Sequence, residues 1–234
     1  NKSGTMLVDT GGRIFGTSTN PPALRVILNY LYARGYSHLD TLVLTHADAD
    51  HVGDAAVLTE QIPVNMMIST PLAIDQPVIQ KAAQGQVNQW RTVLAGDTVH
   101  AGLISMQVVA PKSTDATEKN ADSIVLYGKI DNSNWLLTGD ADAGVESREL
   151  IPQHLAVDYL KVGHHGSSTS SSPAFIDQWH LKAALISAGV NNRYGHPTPQ
   201  TIATLEAVGD PWYNTATSGM LWVENGQLHQ FLKE

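Results

Sequence analysis

The chain has 234 residues, 42% of them hydrophobic, enough for a sizeable core in one large domain or two small ones. A formal net charge of −8 argues against a dedicated phosphate-gripping surface, so any nucleic acid is bound weakly or with a metal ion supplying the positive charge. With no cysteine, disulfides and thiolate metal sites are excluded, and a metal must be held by His, Asp, Glu or water.

The opening NKSGTMLVDTGG reads as the end of a hairpin leading into a strand, as expected of an excised fragment that lacks its first strand. TMLVDTGG (5–12) is a short apolar strand ending in a glycine turn. Asn20, Pro21 and Pro22 start a helix whose apolar face runs through LRVILNYLYARG and stops at Gly35. LDTLVLTH (39–46) is a buried strand, a short helix is expected over 54–61, and VNMMIST (64–70) is another strand. From 71 to 89 the pattern is weak, mixing a possible helix with loops. TVLAGDTVHAGLISMQVVAP alternates like a hairpin, and a polar loop follows over 112–121. DSIVLYGKI and NWLLTGD are strands joined by a DNSN turn, and 143–151 is a helix candidate. VDYLKVGHHGSS is a strand ending in a polar loop. A helix near 172–180, strand AALIS (183–187), helix 199–209 and three closing strands near 212–216, 219–224 and 227–232 complete the chain. Strand–helix alternation indicates an α/β chain, the hairpins indicate mixed sheets, and no linker divides residues 1–234, which read as a single domain.

Ionisable residues gather where strands end. THADADH, which follows LVL, carries His46, Asp48, Asp50 and His51; WLL leads to Asp140, VDYLKV to His164 and His165, and ALIS to a loop holding His196. Ligands of α/β folds bind beyond the carboxyl ends of strands, so four sequence-distant clusters can meet in one pocket. If the stretch stays extended, His46, Asp48 and Asp50 point to one side. If it turns into a helix after Asp48, then Asp50 and His51 can address a second ion. Mixed oxygen and imidazole ligands suit Zn, Mn or Fe. Taken singly, Asp140 also reads as a turn or N-cap aspartate, and His196 as a structural histidine before proline.

THADADHVG resembles the HxHxDH signature of the metallo-β-lactamase superfamily, with Asp48 in place of the second histidine. DTGG, TGD and GHHGS follow in the superfamily's order. LVLTHADADHVGD, NADSIVL, WLLTGD, LKVGHHGSSTSS and ISAGVNNRYGHP carry a closer resemblance to the soluble C-terminal domain of ComEC-type DNA-uptake channels. The resemblance implies an αββα sandwich of two mixed β-sheets flanked by helices. It implies His46 and Asp48 at a first metal site, Asp50 and His51 at a second, Asp140 bridging, and His165 as the last ligand. His164 then contacts a substrate phosphate, and His196 a phosphate or the leaving oxygen. One or two divalent ions are implied, Mn or Zn first and Mg as a further option. The superfamily's middle histidine has no counterpart here, which leaves two alternatives: Asn120 or Asp122 compensates, or the first site is weak and a single ion is held in the second.

The implied activity is metal-dependent phosphodiester hydrolysis, a nuclease acting on DNA during natural transformation and degrading the strand that is not transported. Asp50, His164 and His196 are its catalytic residues. The implied partners are DNA and the other domains of an inner-membrane parent, with this fragment a monomer on the periplasmic side. Two alternatives remain open: another hydrolase reaction on the same scaffold, such as β-lactam hydrolysis, and a non-catalytic module that guides DNA or gates the channel with a degenerate metal site.

Overall fold

Residues 4–12, 21–114 and 120–232 are described by the computed structural model. Asn20 and part of the expected polar loop, 115–119, lie outside them. The chain divides into two compact units, Asn1–Val108 with Ser113–Ile124, and Val109–Lys112 with Val125–Glu234.

In the first unit, β1 (Met6–Val8), β2 (Leu39–Val43), β3 (Val64–Ser69) and β4 (Val87–Thr92) form a parallel sheet in that order. The register aligns Val8 with Val43, and Val43 with Ile68. Strands of a parallel sheet are covered on both faces, which is why β2 reads as a near-continuous apolar run. Leu39, Leu42, Leu58, Ile62, Met67 and Ile79 are fully buried in one core, to which helices Ala55–Gln61 and Pro77–Ala83 contribute. β4 was not legible in the weak stretch 71–89: it lies at the edge of the sheet, and most of its residues are polar. The expected first helix runs through Ala23–Leu28, wound in wide π-type turns, into Asn29–Ala33. Asp54 accepts the Ala23 N–H at 3.0 Å. β5 (Thr98–Ala101) and β6 (Ile104–Ala110) make the expected antiparallel hairpin.

The second unit carries β7 (Val125–Ile130), β8 (Ser133–Leu137), β9 (Tyr159–Lys161), β10 (Ala183–Ile186) and β11 (Trp212–Asn214). β7 and β8 are antiparallel, β8 to β11 pair in parallel in chain order, and the sheet is therefore mixed. The tight turn joining β7 to β8 places Asp131 and Asn132 at φ 49° and 62°, as a right-twisted hairpin requires. The helix expected near 172–180 is confined to Pro173–Ile176. Of the closing strands, β12 (Leu221–Glu224) and β13 (Gln227–Gln230) pair as a hairpin, but Thr215–Ser218 is helical. Asn214 starts that turn by accepting the Ala216 N–H on its side chain at 2.9 Å. Among the described residues, no helix is long and apolar enough to cross a membrane.

Candidate metal centre

The first unit builds its polar cluster beyond the ends of β1 and β2. The chain bends at His46 and Ala47, is extended at Asp48 and then turns into the short helix Ala49–Val52, so the helical alternative for this stretch is the one adopted. His46 is buried, with Nε2 3.9 Å from a carboxylate oxygen of Asp48. His51 is also buried, its ring centred 4.2 Å from that of His46. Asp50 is half-buried in the first turn of the helix.

Asp9 organises this cluster. It sits at φ 61°, just past β1, where one carboxylate oxygen accepts the Thr45 backbone N–H at 2.8 Å. The other accepts the Thr45 hydroxyl at 2.8 Å and lies 2.6 Å from His51 Nδ1. An ionised carboxylate can only accept, so His51 carries its proton on Nδ1 and presents the lone pair of Nε2. The Thr45 hydroxyl has spent its single proton on Asp9. It therefore accepts from His46 Nδ1, 3.0 Å away, and His46 Nε2 is likewise the lone-pair nitrogen. One carboxylate thus sets the tautomers of two imidazoles. Asp9 is a site residue that no local sequence pattern singled out. The available signal was the DTGG turn at the end of a strand adjoining β2, but Asp9 reaches Thr45 only through the β1–β2 register.

Gly12 holds the turn against the helix. A Cβ there would lie 2.3 Å from the Ala49 carbonyl oxygen and 2.6 Å from Gly53 Cα, and its φ is +154°. Thr10 N–H donates to the His51 carbonyl at 2.8 Å, and Asp54 N–H to the Gly11 carbonyl at 3.0 Å.

Asp122 does not take the place of the missing histidine. The Ile124 N–H donates to the Thr45 carbonyl at 2.9 Å, bringing the NADS segment alongside THADADH. Asp122 is buried, however, and accepts the Thr70 hydroxyl on one oxygen, while its other oxygen has no hydrogen-bond partner. Burial pushes its pKa up to about 6, against the opposing pull of the Thr70 bond. Among the described residues, Asp122 belongs to no group of three or more His, Asp or Glu ligand atoms drawn together within 4.8 Å.

The second unit gathers Asp140, His164, His165 and His196. Asp140 follows β8 and is buried; one of its oxygens lies 3.6 Å from His164 Nε2 and 3.9 Å from His165 Nε2. Both histidines adopt left-handed backbone angles, φ 46° and 55°, a conformation costing about 1 kcal/mol or more for a non-glycine residue. Backbone bonds from His164 N–H to Gly139 O (3.1 Å) and from Ser167 N–H to His164 O (2.8 Å) fix that turn. His165 Nδ1 is 2.7 Å from the Ser187 carbonyl, a pure acceptor, so here too Nε2 carries the lone pair. His164 Nδ1 lies 3.0 Å from the Thr169 hydroxyl. The His196 ring is 5.7 Å from that of His164. Asn192 clasps the His196 backbone, accepting its N–H at 2.9 Å and donating to its carbonyl at 2.5 Å. The His196 ring thus lies beside that of His164, with its backbone held by Asn192. The hydrogen bonds of His164 with the Thr169 hydroxyl and of His165 with the Ser187 carbonyl follow from the folded loops and left no sequence pattern.

In each unit the donors are nitrogen and oxygen only, with the imidazoles of His46 and His51 in the first and of His165 in the second held in the tautomer a metal ligand needs, a chemistry that suits a divalent ion. The sequence profile of the metallo-β-lactamase superfamily matches residues 1–72. Among solved structures, the metallo-β-lactamase fold protein YhfI from Bacillus subtilis superposes with a TM-score of 0.55 over 89% of this chain and 94% of that one, at 12% identity. The chain belongs to the metallo-β-lactamase superfamily, whose members are generally hydrolytic and whose fold implies divalent metal binding. Within it, its relatives include competence proteins of the ComEC type. ComE operon protein 3 of Bacillus subtilis is 34% identical over 215 residues, 87% of this chain and 28% of that protein. Competence protein ComA of Neisseria gonorrhoeae is 31% identical over 226 residues, 93% of this chain and 30% of that protein. The chain thus spans less than a third of the length of these relatives.

Proposed function

We propose that the chain is a metal-dependent DNA phosphodiesterase, the nuclease domain of an inner-membrane uptake protein, acting at the periplasmic face on the strand that is not transported. In this reading His46, Asp48, Asp50, His51, Asp140 and His165 hold one or two ions. Mn or Zn suits the donor set, and Asp48 in place of histidine adds oxygen character that favours Mn over Zn. The observation that carries the reading is the shared tautomer of His46, His51 and His165, each with Nδ1 engaged by an oxygen and Nε2 left as the ligand nitrogen.

When bound, the ions lower the pKa of water and neutralise charge on the phosphodiester. Asp50 orients the attacking water. The water gives up a proton to solvent as its oxygen forms the new bond to phosphorus, and the opposite phosphorus–oxygen bond breaks. His164, fixed by Thr169, faces the non-bridging oxygens and stabilises their charge. His196, when protonated, gives its proton to the leaving oxygen.

A second reading, a DNA-guiding module with a degenerate site, draws support from Asp122, which is committed to Thr70 where the superfamily has a ligand. Cleavage of plasmid and single-stranded DNA by metal-stripped protein, with Mn, Mg or Zn restored, separates the two. Metal-dependent cleavage that disappears in Asp50→Ala and Asp140→Ala is expected. DNA binding without cleavage in any metal overturns the nuclease and leaves the module.

A further inference from the structure

Beside the second cluster, the loop after β10 carries side chains that the hydrolytic chemistry does not use. Tyr194 stacks on His196, with ring centroids 5.8 Å apart and planes inclined by 17°. The Arg193 guanidinium lies over the Tyr194 ring, 4.7 Å from its centroid, and its Nη2 is 2.5 Å from the Tyr194 hydroxyl. Even so, Tyr194 remains 52% exposed, and Val190, on the same loop, 70%. Water thus reaches half of an aromatic ring that is braced by one neighbour and capped by a cation.

The loop itself is fixed. The Asn192 clasp on the His196 backbone ties down one side, and the Gly195 N–H donates to the Asn192 carbonyl at 3.2 Å. Beyond His196, Thr198 N–H donates to the Gly166 carbonyl at 2.9 Å. Pro197 packs so closely on Gly166 that a Cβ there would lie 2.6 Å from the proline Cβ. Tyr194 is therefore held at a set distance from the His164–His165 turn by residues that also position His196.

We infer that Arg193 and Tyr194 form a base-stacking platform that selects an unpaired DNA strand and delivers its phosphodiester to the His164–His196 side of the site. Aromatic rings and guanidinium planes accept any unstacked base, whereas a base inside a duplex has its faces covered by its neighbours. Arg193 also places a positive charge beside the strand's backbone, where a chain of net charge −8 has few to offer. This inference rests on the phosphodiesterase reading for the fate of the strand, but the stacking itself can be measured without catalysis.

The test uses the metal-stripped chain with an oligonucleotide containing 2-aminopurine, whose fluorescence is quenched when it stacks, offered as single strand and as duplex. Wild type is expected to bind the single strand in preference and to quench it. Tyr194→Phe should retain both properties. Tyr194→Ala should lose the quenching and bind roughly tenfold more weakly, within the range known for loss of one base–aromatic stack. Arg193→Ala, which removes the guanidinium lying over the ring, should also weaken binding and reduce the quenching. Unchanged quenching and affinity in Tyr194→Ala, or a wild-type preference for duplex, overturns the platform. Cleavage by the same samples after Mn is added is scored separately. Its absence in wild type counts against the nuclease, and a lost quench in Tyr194→Ala would still establish the platform.

Discussion

Two carboxylates of the first unit show how neighbours decide what an aspartate does. Asp9 is encircled by donors, the Thr45 N–H, the Thr45 hydroxyl and His51 Nδ1, and so acts as a fixed acceptor that sets imidazole tautomers. Asp9→Asn keeps the shape but offers an amide N–H to His51, which favours the opposite tautomer and places the proton on Nε2. Metal affinity, measured by calorimetric titration, should fall about 10- to 100-fold, the usual cost of losing an outer-shell partner, with the far-ultraviolet dichroism unchanged. Asp122 is the reverse case, a buried carboxyl with one hydroxyl partner and a pKa of about 6. Its ordinary value is 3.8, so between these two values the folded chain holds a proton that the unfolded chain releases. Stability from the neutral form is complete below the lower value and is lost as the pH rises through the upper one. Asp122→Asn stays neutral throughout. The melting temperature of the metal-free variant should therefore gain on wild type by a few degrees between acidic and neutral pH. An equal gap at both pH values would show that the carboxyl does not titrate there.

Short elements hold the site, and their legibility in the sequence follows from how each is stabilised. β2 and β3 were legible because burial on both faces leaves a continuous apolar run. The edge strand β4 is mostly polar, and the four-residue helix Ala49–Val52 is too short to show a period. The ligand-type residues stood out through density, four of them within THADADH. Asp9 and the carbonyl of Ser187 act through strand register and loop geometry, which no local pattern records. Gly12 belongs with the hidden features, since its role is the space it leaves for Ala49 and Gly53. Gly12→Ala should destabilise the chain by roughly 1–3 kcal/mol in urea unfolding, through overpacking and an unfavourable φ together. It should also weaken metal binding, because the helix bearing Asp50 and His51 must shift. Gly35 has a positive φ of 75° but open space around it, so Gly35→Ala should cost less and leave metal binding intact.

For the molecule as a whole, charge limits how DNA can be held. The chain carries 14 basic and 22 acidic residues, and its candidate ligands include three aspartates, Asp48 and Asp50 in the first unit and Asp140 in the second. Without metal, the aspartates of each unit disfavour a nearby phosphodiester and leave base stacking as the remaining hold; with divalent ions bound, the sign of the local field reverses. Affinity should then come from few phosphate contacts, the ions and a stacked base, in contrast to a long basic groove. Counterion release makes this measurable, because each phosphate neutralised on a single strand adds about −0.7 to the slope of log affinity against log salt. A slope of about −1 to −2 is expected for the metal-loaded Asp140→Asn variant, chosen to bind without cutting, when anisotropy is followed between about 50 and 200 mM salt. The stacking contribution should persist across that range because it carries no net charge. A slope near −4 would instead require about six phosphate contacts. It would reveal a basic track that the composition of this chain does not suggest, and the weak, metal-assisted grip argued here would have to be abandoned.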